Sequence, residues 1–112
     1  MKLEPVKFDP PSTKPIGKFT ATLSPDGWVD AMYENTPSMR LTAGEVLECS
    51  RFINGFIKEC DTQDAFQKYV RKHGETMGST TSALFYRGDS LDYVVMVLGY
   101  SITVTPHRKD DA

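Results

Sequence analysis

The stretch that most constrains this chain is Leu41–Cys60, LTAGEVLECSRFINGFIKEC. Thr42 is followed three residues later by Glu45, the spacing of a capping box. The threonine hydroxyl accepts from the backbone N–H of residue 45, and the carboxylate accepts from the N–H of residue 42. Behind that start, Val46, Cys49, Phe52, Ile53, Phe56, Ile57 and Cys60 recur every three or four residues. That period predicts one long helix with a single apolar face, which must be covered by other parts of the chain.

What could cover it lies on both sides. From Gly17 the period changes to two: Phe19, Ala21 and Leu23 alternate with Lys18, Thr20 and Thr22, as in a half-buried strand. Ser24-Pro25-Asp26-Gly27 is a turn signal, Trp28–Tyr33 reads as the returning strand, and Met39–Leu41 is a candidate short edge strand. Beyond Cys60, Asp61 or Thr62 can cap a second helix bearing Ala65, Phe66, Tyr69 and Val70, with Gly74 as its stop. Glu75–Thr81 reads as a polar link. Ala83–Tyr86, Leu91–Leu98 and Tyr100–Thr105 are β-rich runs, with Gly99 either a turn or a bulge and Pro106 ending the ladder. Leu91–Leu98, the most continuously apolar run, is the expected central strand.

The expected architecture is α+β: a single antiparallel sheet of about four to six strands with two central helices packed on one face. Its order is β-β-(β)-α-α-β-β-(β). With 112 residues there is room for one core. Residues 1–16, with Pro5, Pro10, Pro11 and Pro15, read as a proline-rich extended arm. Residues 17–106 form the domain, and 107–112 a flexible tail.

Charge and composition narrow the function classes. The net charge of −2 weighs against indiscriminate phosphate binding, which draws on a basic surplus. The longest apolar run falls well short of the ~20 residues of a membrane helix, and Met1 is followed by Lys2 and Glu4 with no apolar leader segment. No membrane partner is therefore expected, and a cytoplasmic setting is the default. Cys49 and Cys60 stand about three helical turns, or roughly 16 Å, apart, too far for a disulfide. Reduced thiols packed as small hydrophobes are expected instead.

The candidate chemistry is sparse. Cys49, Cys60, His73 and His107 lack the close pairs that structural zinc draws on, so no metal and no cofactor is expected. Gly78-Ser79-Thr80-Thr81-Ser82 is rich in hydroxyls but lacks the lysine and the spacing of a phosphate loop. Glu45 with Glu48, and Asp89 with Asp92, could do acid–base work in a cleft, although acids at helix starts and turns are common. Arg87-Gly88-Asp89 spells an adhesion tripeptide and reads here as a tight turn that exploits glycine at positive φ. No catalytic residue is assigned.

Tyrosines and acids dominate the remaining signals. A protein-binding surface is expected from Asp26, Trp28, Asp30, Glu34, Asp89, Asp92 and Tyr93. In small size, acidic balance and lack of catalytic motifs, the chain resembles in general character the inhibitor and accessory proteins of phages and plasmids, anti-CRISPR proteins among them. The likeness rests on no shared motif. It implies a small non-enzymatic binding module of mobile-element type, acting by surface occlusion or by phosphate mimicry. One alternative is a nucleic-acid-associated regulator using a basic patch of Lys68, Arg71, Lys72, Arg108 and Lys109. The other is an enzyme of unrecognised type. Homodimerisation through an uncovered strand edge is compatible with each.

Overall fold

The computed structural model describes residues 3–34 and 41–109, and of residues 30–34 the backbone alone. In chain order the elements are β1 (Lys18–Ser24), β2 (Gly27–Glu34), α1 (Ala43–Glu59), α2 (Gln63–His73), β3 (Glu75–Met77), β4 (Thr81–Arg87), β5 (Leu91–Leu98) and β6 (Ser101–Arg108). The described strands form one six-stranded antiparallel sheet in the order β2-β1-β6-β5-β4-β3. The protein is an α+β fold with the expected β-β-α-α-β-β layout. The last strand lies beside the first, so the hairpin that begins the domain is closed by its C-terminal strand.

Both helix starts are capped by the residues the sequence singles out. Thr42 Oγ1 accepts from Glu45 N at 3.2 Å, and Glu45 Oε1 accepts from Thr42 N at 2.8 Å. Thr62, rather than Asp61, caps α2, accepting from Ala65 N at 3.1 Å. The predicted apolar stripe of α1 buries Cys49, Phe52, Ile53 and Phe56, and the C-cap residue Cys60 is buried with them. α2 adds Phe66 and Val70 to the same cluster.

The sheet meets this layer with alternate residues, because successive side chains on a strand point to opposite faces. From β5 come Leu91, Tyr93, Val95 and Val97; from β6, Ile102 and Val104; from β4, Leu84 and Tyr86; from β1, Ala21 and Leu23. Both helices therefore cover one face.

Three expectations are corrected, and the alternative left open at Gly99 is decided. Part of the expected polar link forms a strand: Glu75, Thr76 and Met77 pair with Ala83, Ser82 and Thr81. All three residues of β3 are exposed, so no apolar alternation marks it; it exists because the chain leaving α2 runs along the free edge of β4. Gly99 is a turn residue, not a bulge. Its φ of 60° together with the Leu98↔Ser101 pairing makes a two-residue hairpin with glycine at the first position, as a type II′ turn requires. β6 does not stop at Pro106: His107 and Arg108 continue the ladder against Asp92 and Leu91. Finally, Gly88 is not among the positive-φ residues. It is glycine because a Cβ there would stand 2.7 Å from Glu48 Oε2, 2.8 Å from Leu91 O and 2.9 Å from Tyr93 Cε2. Of the proposed edge strand Met39–Leu41, the first two residues lie outside the described residues, and Leu41 is irregular.

β2 ends the sheet on one side. Thr20 pairs with Met32 and Thr22 with Val29, so Asp30 and Ala31 together face Ala21 in a bulge. A bulge on an edge strand twists it away from neighbours and disfavours edge-to-edge pairing.

Candidate functional site: the open face of the sheet

Cross-strand partners in an antiparallel sheet share a face, so the pairing registers map the side that carries no helix. One row crosses all six strands: Met77, Thr81, Leu98, Ser101, Thr22 and Val29. It contains no charged residue, in a chain of which 25% is charged. Val29 and Leu98 are each 58% exposed, and Met77 is 42% exposed. Tyr100, in the β5–β6 turn beside this row, is also exposed. The next row, Ala83, Met96, Thr103 and Thr20, is again uncharged between β4 and β1. Hydroxyls between the aliphatic side chains give the strip short polar groups that adapt to donors or acceptors. Thr22 Oγ1 and Ser101 Oγ lie 3.3 Å apart.

Towards the β4–β5 turn the open face changes character. The rows there are Phe85–Val94–Thr105 and Arg87–Asp92–His107. Phe85 and His107 are buried, yet neither belongs to the helix-side core cluster. The N-terminal arm crosses this half. Val6 pairs with Phe85 at the outer edge of β4, and Pro15 pairs with His107 on the β1 side of β6. His107 Nδ1 lies 2.6 Å from the Thr13 carbonyl oxygen; a carbonyl can only accept, so Nδ1 carries the proton. A shallow groove between the arm and the sheet is lined by Val6, Lys7, Phe8, Asp9 and Arg87.

Of the residues expected to form an acidic and aromatic surface, those whose side chains are described, Asp26, Trp28, Asp89, Asp92 and Tyr93, do not form one patch. Trp28 packs its ring edge-on against Phe66 (5.5 Å) and Phe56 (6.3 Å), and its Nε1–H donates to the Cys60 carbonyl at 2.8 Å. Tyr93 is 1% exposed and stacks on Phe52 at 4.1 Å. Burial pushes its phenol pKa far up, and its hydroxyl donates to Glu48 at 2.9 Å. The Tyr93 ring is therefore built into the core, and Trp28, partly buried, packs its ring against it. Asp92 lies on the open face, largely covered and paired with Lys109 at 2.9 Å. Asp26 and Asp89 are exposed, but in turns at opposite ends of the strands. The side chains of Asp30 and Glu34 lie outside the described residues.

Of the basic residues, Lys68, Arg71 and Lys72 share one face at the C-terminal end of α2, while Arg108 and Lys109 lie on the two sides of β6. Lys68 pairs with Asp64 one turn away, Arg71 Nε donates to the Gln67 carbonyl, and Arg71 and Lys72 sit in the last turn of α2, where cations complement the helix dipole. Arg108 reaches the helix side of β6 and holds Glu45 through two bonds of 2.8 and 3.0 Å. Lys109 lies on the other side of the sheet with Asp92.

Other titratable groups are engaged in the fold. The Arg108 guanidinium, with help from Thr42, holds the Glu45 carboxyl below the ordinary carboxylate range despite partial burial. Burial pushes the Cys49 thiol up to about 11 and the Cys60 thiol up to about 12, and no cation opposes the shift. Both thiols are free and buried. Neither should react with a thiol reagent such as iodoacetamide at pH 7.5 in the folded protein, because thiolate is the reacting species. Both should react in denaturant. Rapid native labelling of either would show that α1 opens locally.

No group of three or more His, Cys, Asp or Glu side chains that could hold a metal ion occurs among the described residues, and no helix there is long and apolar enough to cross a membrane. Set against known proteins, the chain matches no family model, no curated protein and no solved structure.

Proposed function

We propose that this chain is a small non-enzymatic protein-binding module whose partner is held on the uncovered strip of the sheet. The observation that carries the reading is the uncharged row from Met77 through Leu98 to Val29, solvent-facing across the full width of the sheet. Depletion of charge at the centre with charged residues at the rim is the composition of a protein interface. A nucleic-acid phosphate chain would need the reverse. The partner this strip suits is a protein surface with aliphatic side chains and a few hydroxyl or amide groups. Occupying that partner surface is the inhibitory or accessory action the sequence suggests. Phosphate mimicry is not part of this reading, because Asp26 and Asp89 lie at opposite ends of the strands and Asp92 is paired with Lys109.

The test is affinity capture from a lysate of the source cells, after nuclease treatment, with the wild-type chain, Leu98→Glu, and the charge-reversed pair Asp26→Lys with Asp89→Lys. Leu98 is more than half exposed, so its replacement should leave the circular dichroism spectrum unchanged. It should weaken a stoichiometric protein partner at least tenfold, since burying one leucine contributes about 1.5–3 kcal/mol and a buried unpaired carboxylate costs more. The charge-reversed pair should bind like wild type. Equal retention by Leu98→Glu would sink the proposal. Capture of nucleic acid, lost on neutralising Arg71 and Lys72, would replace it with the basic-patch reading.

A further inference from the structure

The N-terminal arm covers the sheet without being buried by it. Between residues 4 and 15 no residue is buried, and Val6 is 39% exposed. Yet on the open face Ala83 is 0% exposed and Phe85 2% exposed, with no helix above them. Phe85 lies beyond the three residues of β4 that β3 reaches, and Val6 is the segment that takes up its edge. Thr13 then sits over His107. A thin strap therefore hides apolar surface that is part of the same face as the strip described above.

None of the residues between 3 and 12 that attach this strap is fully buried. Leu3 packs, half-buried, against the edge of the core cluster beside Gly55 of α1, Val6 N donates to Phe85 O at 2.9 Å, and Phe8 N reaches Glu75 Oε1 at 3.3 Å. Asp9 and Arg87 are 4.0 Å apart with both side chains largely exposed, so their attraction is screened by water. The firm anchor is at the far end, where Ile16 N donates to Pro106 O at 2.8 Å, Thr13 Oγ1 to Arg108 O at 2.6 Å, and Ile16 itself is buried. Pro5, Pro10 and Pro11 remove backbone donors and restrict the free chain. Releasing the segment exposes no fully buried residue of its own, and docking it again costs little conformational entropy. Segments with few buried apolar contacts belong to the low-stability end of a fold and open without global unfolding.

We propose that residues 3–12 are a releasable strap, hinged at the Thr13–Ile16 anchor, which opens as a unit and uncovers Phe85, Ala83 and Val94. With the strap open, these residues join Met96 and Leu98 in one continuous apolar surface along β4 and β5. The closed form shows the two rows of the strip, and the open form adds the row Phe85–Val94–Thr105 along the strands. The inference concerns this chain alone and holds whether or not the strip is the partner surface.

Two measurements on the full chain test it. Val6→Pro deletes the N–H that bonds Phe85 while leaving the anchor intact. The variant should bind the apolar dye anilinonaphthalene sulfonate severalfold more than wild type, with unchanged near-ultraviolet circular dichroism and a thermal midpoint within about 3 °C. Unchanged dye binding would overturn the proposal, as would a large fall in midpoint with loss of the near-ultraviolet signal, which would make the strap an integral part of the core. In the unmodified protein, the Val6 and Phe8 amides should exchange at least about tenfold faster than those of Val95 and Val104, with little dependence on low urea concentrations. Exchange of all four at one rate, with one urea dependence, would show that the strap leaves only on global unfolding.

Discussion

Phe56→Ala is expected to destabilise the protein by about 3–5 kcal/mol, the range for truncating a buried phenylalanine. Phe56 is 0% exposed. Its ring is approached by five others, Trp28, Phe52, Phe66, Tyr69 and Tyr86, with centroids between 6.0 and 6.4 Å, mostly edge to face. Edge-to-face pairs add to simple area burial because the positive ring edge meets the negative face. Those neighbours come from β2, α1, α2 and β4, so the cavity left by alanine lies where four elements meet, and no single one can move to fill it. Marginal domains have about 5–15 kcal/mol of stability in total, so the variant should be close to its unfolding threshold at 37 °C. Trp28 is the sole tryptophan and lies in the cluster, so its fluorescence reports the transition directly. A urea midpoint shift corresponding to less than about 1 kcal/mol would mean that the cluster repacks, contrary to the close packing described.

The helix that carries Phe56 was the most legible element in the sequence, and the reason is local. A capping box and an apolar stripe are written within twenty consecutive residues, and no distant partner is needed to read them. The strands were legible as strands for the same reason, but their facing was harder. In β5, Leu91, Tyr93, Val95 and Val97 form one set and Asp92, Val94, Met96 and Leu98 the other. Both are largely apolar, and the single acid, Asp92, was the signal that the first set, Tyr93 included, points inward. The packing of Trp28 was hard to read for a related reason: it depends on Phe66 of α2 and on the Cys60 carbonyl, each more than thirty residues away in sequence. β3 carried no pattern at all. The uncharged strip could not be read either, because each of its six residues comes from a different strand, and register is not written in any one of them.

The same non-locality conceals the role of Glu48, for which the second large effect is expected. From the sequence it was one of two acids sharing a helical turn. In the fold its carboxylate accepts from Ser90 N at 3.0 Å, Leu91 N at 3.1 Å, Tyr93 Oη at 2.9 Å and Ser90 Oγ, clamping the β4–β5 turn to α1. Partial burial raises its pKa, but these donors together outweigh burial and hold the carboxyl below its ordinary range. Glu48→Ala should cost about 2–4 kcal/mol, since it removes charge-assisted bonds and leaves the buried Tyr93 hydroxyl without its acceptor. Adding Tyr93→Phe to that variant should cost less than Tyr93→Phe alone, because the hydroxyl then has nothing to lose. The sign of the pH dependence follows from the depressed pKa. The clamp's stabilisation is complete above the unfolded-state carboxylate value of about 4.3 and is lost as pH falls through the lower folded value. Urea midpoints at pH 7 and pH 3 should therefore show the wild-type advantage over Glu48→Ala shrinking at the acid end. Glu45, lowered in the same direction by Arg108, continues to make both proteins acid-sensitive. A gap that stayed constant between the two pH values would mean that Glu48 stabilises by packing alone.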